Sequence, residues 1–284
     1  MVDLAQRLDA LLAMATSELR GAGFIEPRRE ALRLWAELAG TSVASATLGS
    51  ADPADAESAS RFVAAVHRRI GGEPVAYITG WTGFRRLKLA CDRRALIPRP
   101  ETEGLIDATL VRVRTGVVAD IGTGTGAIAL ALSDEGEFAA VIGVDLSPDA
   151  LVLARSNGAT TRQPVTWLEG DLLAPLAGRQ VDLLVANPPY LTQGEYDSLD
   201  RSVRDYEPGI ALIGGEDGQR LVGRLLREGQ SVVACGGWIA LEVDCRRADD
   251  TARMATAAGW HDVTVLDDLF GRARYLLARR GSTT

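Results

Sequence analysis

An apolar run, Val181 to Ala186 (VDLLVA), stops at Asn187-Pro188-Pro189-Tyr190. Proline has no N–H for a sheet ladder and fixes its own φ, so a buried strand is expected to end abruptly there. The residue types that follow suit one task. A planar amide or aromatic NH2 group is a poor nucleophile, because its lone pair is delocalised. Two acceptors placed on its two hydrogens hold it and favour pyramidalisation toward an electrophile. The Asn187 side-chain oxygen and the Pro188 carbonyl qualify as those acceptors. Pro188 and Pro189 keep the backbone aimed, and Tyr190 offers a flat face to a planar group. No strong base is needed, since a proton leaves readily once the nitrogen is cationic.

A second constellation is DIGTGTGAIAL, Asp120 to Leu130. Glycines 122, 124 and 126 stand between a predicted strand and a predicted helix, where backbone N–H groups can approach a ligand closely. The stretch satisfies the dinucleotide pattern G-x-G-x-x-A at Gly122, Gly124 and Ala127. With Gly126 and Asp120 added it reads acid-x-G-x-G-x-G, which resembles the S-adenosylmethionine loop of class I methyltransferases. Gly122, Thr123, Gly124, Thr125 and Gly126 are then the expected cofactor contacts, with Asn187 bordering the same donor. Asp145 is expected to close the next strand. An acid there accepts from both ribose hydroxyls of a nucleoside, which suits NAD and S-adenosylmethionine equally. The bland alternative is a cap on the following helix, for which Ser147 and Pro148 also serve. Asp171, in EGDLLAPL, is expected to end the third strand. The resemblance places it near the adenine amino group, with Leu172 against the ring.

The elements that must carry these residues change character along the chain. Leu4, Leu8, Leu11, Leu12, Ala15 and Leu19 form one helical stripe. Pro27 opens a second helix with Ala31, Leu34, Trp35 and Leu38 inward. A short segment near Val43 to Leu48 follows. A further helix is introduced by Asp52-Pro53, with Phe62, Val63, Val66 and Ile70 inward, and Gly71-Gly72 stops it. Residues 1–72 therefore predict a small helical bundle. Residues 73–103, with Gly80, Gly83, Pro98 and Pro100 among short alternating runs, predict a β-hairpin connector. Residues 104–284 alternate strand, glycine turn and helix and end in a hairpin, with only GSTT frayed. This predicts an α/β, Rossmann-like, mostly parallel sheet covered on both faces.

Composition narrows the function classes. Among 284 residues, 46% are apolar, 24% are charged and the net charge is −7. A chain that grips nucleic acid by its phosphates usually carries a basic surface, so direct nucleic-acid binding is not expected. Cys91, Cys235 and Cys245 have no disulfide or zinc spacing, and no metal site is expected. His67 and His261 have no acidic partner at motif spacing. Acids interrupt the apolar pattern of the first twenty residues, and no apolar run reaches membrane-spanning length, so a cytoplasmic protein is expected.

Taken with EPVAYITGWTGF…LIPRPETEGLID and RSVRDYEPGIALIGGEDG, the glycine loop and NPPY resemble the release factor glutamine methyltransferases, the PrmC/HemK family. The resemblance spans about Glu73 to Arg279. It implies methyl transfer from S-adenosylmethionine to the side-chain amide of a glutamine in the Gly-Gly-Gln loop of peptide chain release factors. It further implies that Gly122 to Gly126 cradle the donor's amino-acid part and Asp145 its ribose. Leu172 would border adenine, and Asn187, Pro188, Pro189 and Tyr190 would hold the glutamine. Pro98 and Arg99 fall near the cofactor and pocket mouth; otherwise Arg99 pairs with Glu101 or Glu103. A monomer is expected, with the helical bundle gripping the partner. One departure is Asp244, where the family usually has glycine, which leaves room for a relative with another amide substrate. Rival readings are a ribosomal-protein glutamine or nucleic-acid adenine methyltransferase, a non-catalytic binding module, and an NAD dehydrogenase.

Overall fold

The computed structural model describes residues 7–50 and 52–282. Leu4 of the first apolar stripe and the last two residues of GSTT lie outside them. The chain groups into two compact units, Met1–Gly80 with Arg201–Tyr206, and Trp81–Asp200 with Glu207–Thr284.

The first unit is helical. In α1 (Leu8–Gly21) the stripe of Leu8, Leu11, Leu12, Ala15 and Leu19 is buried. Proline opens α2 (Pro27–Ala39), and Gly40 ends it in a left-handed conformation with φ 64°. The α3 helix (Val43–Leu48) is capped by the Ser42 side chain. The next helix, α4 (Ala56–Ile70), begins later than Asp52-Pro53 suggests. Asp55 is the cap, its carboxylate accepting from the Ser58 N–H at 2.8 Å. An acidic oxygen satisfies a free N–H of the first turn, which a proline two positions earlier cannot do. Trp35 and Phe62 pack edge to face, with ring centroids 5.3 Å apart, in the core that α1, α2 and α4 share. A short helix, α5 (Val75–Thr79), closes this run at Gly80.

The expected connector therefore opens as helix rather than strand. The hairpin within it is β1 (Trp81–Phe84) against β2 (Leu87–Ala90). Its far end is helix again, because Pro100 takes the first position of α6 (Pro100–Leu110), where a missing N–H costs nothing.

From there strand and helix alternate: β3 (Thr115–Ile121), α7 (Ala127–Glu135), β4 (Glu137–Asp145), α8 (Pro148–Thr161), β5 (Val165–Glu169) and β6 (Val181–Ala186). After a short α9 (Gln193–Asp197), the turn α10 (Arg201–Arg204) groups with the helical unit. In that unit the Tyr206 hydroxyl donates to the Gly71 carbonyl at 3.0 Å. The chain then forms α11 (Arg220–Val232), β7 (Val233–Glu242), α12 (Ala248–Ala257), β8 (Trp260–Asp267) and β9 (Ala273–Arg280).

The seven strands lie in the order β5-β4-β3-β6-β7-β9-β8. The first five are parallel, and β9 runs antiparallel between β7 and β8. The chain steps outward from β3 to β5 and then returns to place β6 on the other side of β3. That reversal opens a crevice at the carboxyl ends of β3 and β6, where open α/β sheets hold ligands. Register makes the crevice specific. Ile121 pairs with Ala186 and Ala186 with Leu241, so the loop after β3, Asn187 and Glu242 emerge side by side. No helix among the described residues is long and apolar enough to cross a membrane.

Candidate active site

A cavity sits at that crevice. Gly122 and Gly124 line it from the loop after β3, Asp145 and Leu146 from the end of β4, Asp171 and Leu172 from beyond β5, and Asn187 and Pro189 from beyond β6. Pro208, Ile210, Ala211 and Leu221 add apolar wall, and Arg94 and Ala95 also line it.

Strand burial fixes the glycine loop from below. Asp120, the last residue but one of β3, is fully buried. Its Oδ2 accepts from the Thr123 hydroxyl at 2.6 Å and from the Ala129 N–H at 3.1 Å. Its Oδ1 has no hydrogen-bond partner. Burial pushes this carboxyl up to about 7, although both hydrogen bonds favour the anion. Asn157 on α8, also buried, donates to the Thr125 carbonyl at 2.9 Å and to the Ala90 carbonyl at 3.1 Å, and accepts from the Ala90 N–H at 2.7 Å. Thus Thr123 and Thr125 turn inward and shape the loop, and neither lines the cavity. Gly126 precedes α7 as its cap, with φ 85°, and a Cβ there would stand 2.8 Å from the Trp167 ring. Its glycine serves packing against Trp167. Gly122 differs: a Cβ there would meet nothing within 4 Å, so open space lies above it.

Asp145 does not cap α8; Ser147 does, accepting from the Ala150 N–H at 3.2 Å. Instead the Asp145 carboxylate accepts from the Gly124 N–H at 2.8 Å and the Ser147 N–H at 2.9 Å. Burial raises its pKa, and these donors oppose the shift. Asp171 lies two residues beyond the end of β5 rather than at its last position, and Arg224 on α11 grips it at 2.9 and 3.1 Å.

Asn187 is half-buried. Its Nδ2 donates to the Thr102 hydroxyl at 3.1 Å, and Thr102 donates to the buried Glu242 carboxylate at 2.6 Å. The backbone that follows is pinned to residues 212–214. The Leu191 N–H donates to the Leu212 carbonyl at 3.0 Å, and the Gly214 N–H donates to the Leu191 carbonyl at 2.8 Å. A side chain at Gly214 would strike the Pro189 carbonyl, and one at Gly218 the Tyr190 carbonyl. Burial, with Glu242 nearby, pushes the Tyr190 phenol up to about 12, so it stays neutral. Pro188 is buried behind Asn187, and neither it nor the Tyr190 ring lines the cavity.

Arg99 pairs with neither Glu101 nor Glu103. Its Nη2 stands 2.5 Å from Oε1 of Glu207, which is buried and also accepts from the Ile97 N–H at 3.0 Å. Glu103 instead accepts from the Arg85 N–H. Arg99 is a strut for the wall at residues 208–211, and Arg94 is the arginine that lines the cavity. Asp244 is likewise outside the lining. It caps the turn Cys245–Arg247 and pairs with Arg246 and Arg247, and Arg247 reaches Glu195 on α9 at 2.8 Å. Asp244 is thus a clasp on the segment after NPPY. Local spacing gives Thr102, Glu207 and Glu242 no role. The available signal was position: Glu242 ends a buried strand at the same edge as Asp145.

The open space over Gly122, the acid at the end of β4 and the apolar surface of Leu146 and Leu172 suit a nucleoside carrying a polar chain. Among the described residues no group of three acid, His or Cys side chains is arranged to hold a metal. Burial pushes the Cys91 thiol up to about 12.

Residues 10–80 match the family model of the PrmC N-terminal domain, and residues 102–203 match that of the methyltransferase small domain. The release factor glutamine methyltransferase of Deinococcus radiodurans is 38% identical over 277 residues, covering 96% of this chain and 99% of that protein. Its namesake in Cereibacter sphaeroides is 39% identical over 273 residues, covering 95% and 97%. A methyltransferase structure from Pyrococcus furiosus covers 69% of this chain and 89% of its own, with a TM-score of 0.53 at 18% identity, a likeness of fold.

Proposed function

Because the chain belongs to the release factor glutamine methyltransferase family, we propose that Asn187 to Tyr190 hold a release-factor glutamine while its side-chain amide nitrogen is methylated. The observation that carries this reading is the register of β3 and β6, which sets Asn187 beside the glycine loop in one cavity. S-adenosylmethionine, when bound, supplies an electrophilic methyl group. Gly122 and Gly124 offer it backbone, Asp145 accepts from its ribose, and Leu172 with Asp171 borders its adenine. Thr123, Thr125 and Gly126 act through the shape of the loop. The Asn187 Oδ1, with the Pro188 carbonyl behind the lining, would accept from the glutamine NH2 at the edge of the cavity, where Pro189 is part of the wall and the neutral Tyr190 lies just beyond it. The chain itself needs no general base, because the product amide loses its extra proton to water.

A net charge of −7 supports a protein rather than a nucleic-acid target. We place the enzyme in the cytoplasm, where translation factors act, as a monomer. The helical unit, which matches the PrmC N-terminal domain, is read as the surface that grips the body of the release factor. The test is incubation with S-adenosylmethionine and purified release factors, followed by mass spectrometry. One added methyl group on the glutamine of Gly-Gly-Gln is expected; methylation confined to another residue or to nucleic acid overturns the reading.

A further inference from the structure

We infer that Thr102 and Glu242 form a positioning relay that decides which end of the Asn187 amide faces the cavity. The inference rests on the reading that Asn187 holds the substrate amide. A threonine hydroxyl has one proton to give. Thr102 gives it to the Glu242 carboxylate at 2.6 Å, an acceptor that is only 2% exposed. The oxygen of Thr102 is left as an acceptor, and the Asn187 NH2 donates to it at 3.1 Å. With its NH2 end committed, the amide turns Oδ1 the other way. A substrate NH2 group needs an acceptor there. A flipped Asn187 would present N–H to N–H, and the grip would be lost.

The three residues come from separate elements. Thr102 lies in the first turn of α6, Asn187 follows β6 and Glu242 ends β7. Parallel pairing of β6 with β7 sets the last two side by side. Glu242 faces its strand partner Tyr275 and Arg274 on β9, Tyr190 beyond β6, and Glu101 and Arg99 at the start of α6. Arg274 and Arg99 favour its anion; Glu101 opposes it. Burial is the largest influence and raises its pKa, with Thr102 and Arg274 pulling the other way. Protonated Glu242 would donate to Thr102 and free the threonine proton to seek the Asn187 oxygen. The relay therefore ties the amide's orientation to the charge on Glu242, and turnover falls on the acid side.

The test compares wild type, Thr102→Val, Thr102→Ser and Asn187→Ala, all as full-length chains. It reads kcat and KM for release factor, S-adenosylmethionine affinity, and kcat against pH. Valine is expected to lower kcat roughly tenfold by leaving the half-buried Asn187 N–H without its acceptor. KM and cofactor affinity should stay within about twofold, as for a group acting only on the bound amide. Serine should recover most of the rate, and the acid-side fall of kcat should persist with serine and vanish with valine. Should the valine chain not fold, Thr102→Ala gives the same reading. A valine or alanine variant with wild-type kcat overturns the relay, as does a serine variant as slow as valine. Full activity in Asn187→Ala would instead remove the amide-gripping reading, and the relay with it.

Discussion

The Gly124 N–H donates to the Asp145 carboxylate across 2.8 Å, so the loop after β3 and the acid that ends β4 hold each other directly. One side chain thus serves the loop and, in the proposed complex, the ribose. Replacing Asp145 by alanine strips the Gly124 and Ser147 N–H groups of their acceptor. S-adenosylmethionine affinity is expected to fall by about tenfold or more, the scale of a lost hydrogen bond to a charged group. Calorimetric titration checks it; unchanged affinity would count against the ribose role.

Asn187→Ala removes one of the two acceptors proposed for the substrate NH2. Turnover is expected to drop by ~10²-fold or more, as when one preorganised polar partner of a reacting group is deleted. Cofactor affinity should change little, since Gly122, Asp145 and Leu172 are untouched. Single-turnover methylation of a release factor, with calorimetry beside it, separates the two effects.

Asp120 gives a pH signature of stability. Its folded pKa of about 7 lies above the ordinary value of 3.8, because it is buried. The fold therefore favours the protonated acid. That stabilisation is complete below about pH 4 and is lost as pH rises to about 7, after which the gap is constant. Asp120→Asn stays neutral throughout. Relative to wild type it should gain stability across this window, by at most about 1.4 kcal/mol per pH unit. Melting temperatures of both chains between pH 4 and 8 read the difference; parallel curves would contradict a buried titrating Asp120.

The Arg99–Glu207 pair predicts an asymmetry. Glu207 is nearly inaccessible at its side chain, whereas a third of the Arg99 side chain is exposed. Arg99→Ala leaves a buried carboxylate with only the Ile97 N–H and should cost about 3 kcal/mol. Glu207→Gln leaves a cation that can reach water and should cost less. Denaturant melts of the two variants compare the losses, and equal costs would argue that the pair is held by packing alone.

Much of this site is legible along the chain because it is written in local spacing. Glycines between a strand and a helix, an acid closing the next strand and prolines stopping a third are short-range signals. What they touch is not. Thr102, Asn187 and Glu242 are far apart in sequence, and only the neighbouring of β6 with β7 and the placing of α6 bring them together. The same distance hid the partner of Arg99. Sequence proximity favours Glu101 or Glu103, but Glu103 is engaged by the Arg85 N–H and Glu207 arrives from over a hundred residues away. Thr123 and Thr125 mislead in the opposite way: they sit in the motif, yet their polar atoms serve Asp120 and Asn157.

Gly214 and Gly218 press bare backbone against the carbonyls of Pro189 and Tyr190. No evolving side chain can be inserted between these two layers without prising them apart. The backbone behind the proposed grip is thereby closed to gradual retuning. A lineage that changed its target would find more room at the surrounding wall, at positions such as Ile210 and Leu221.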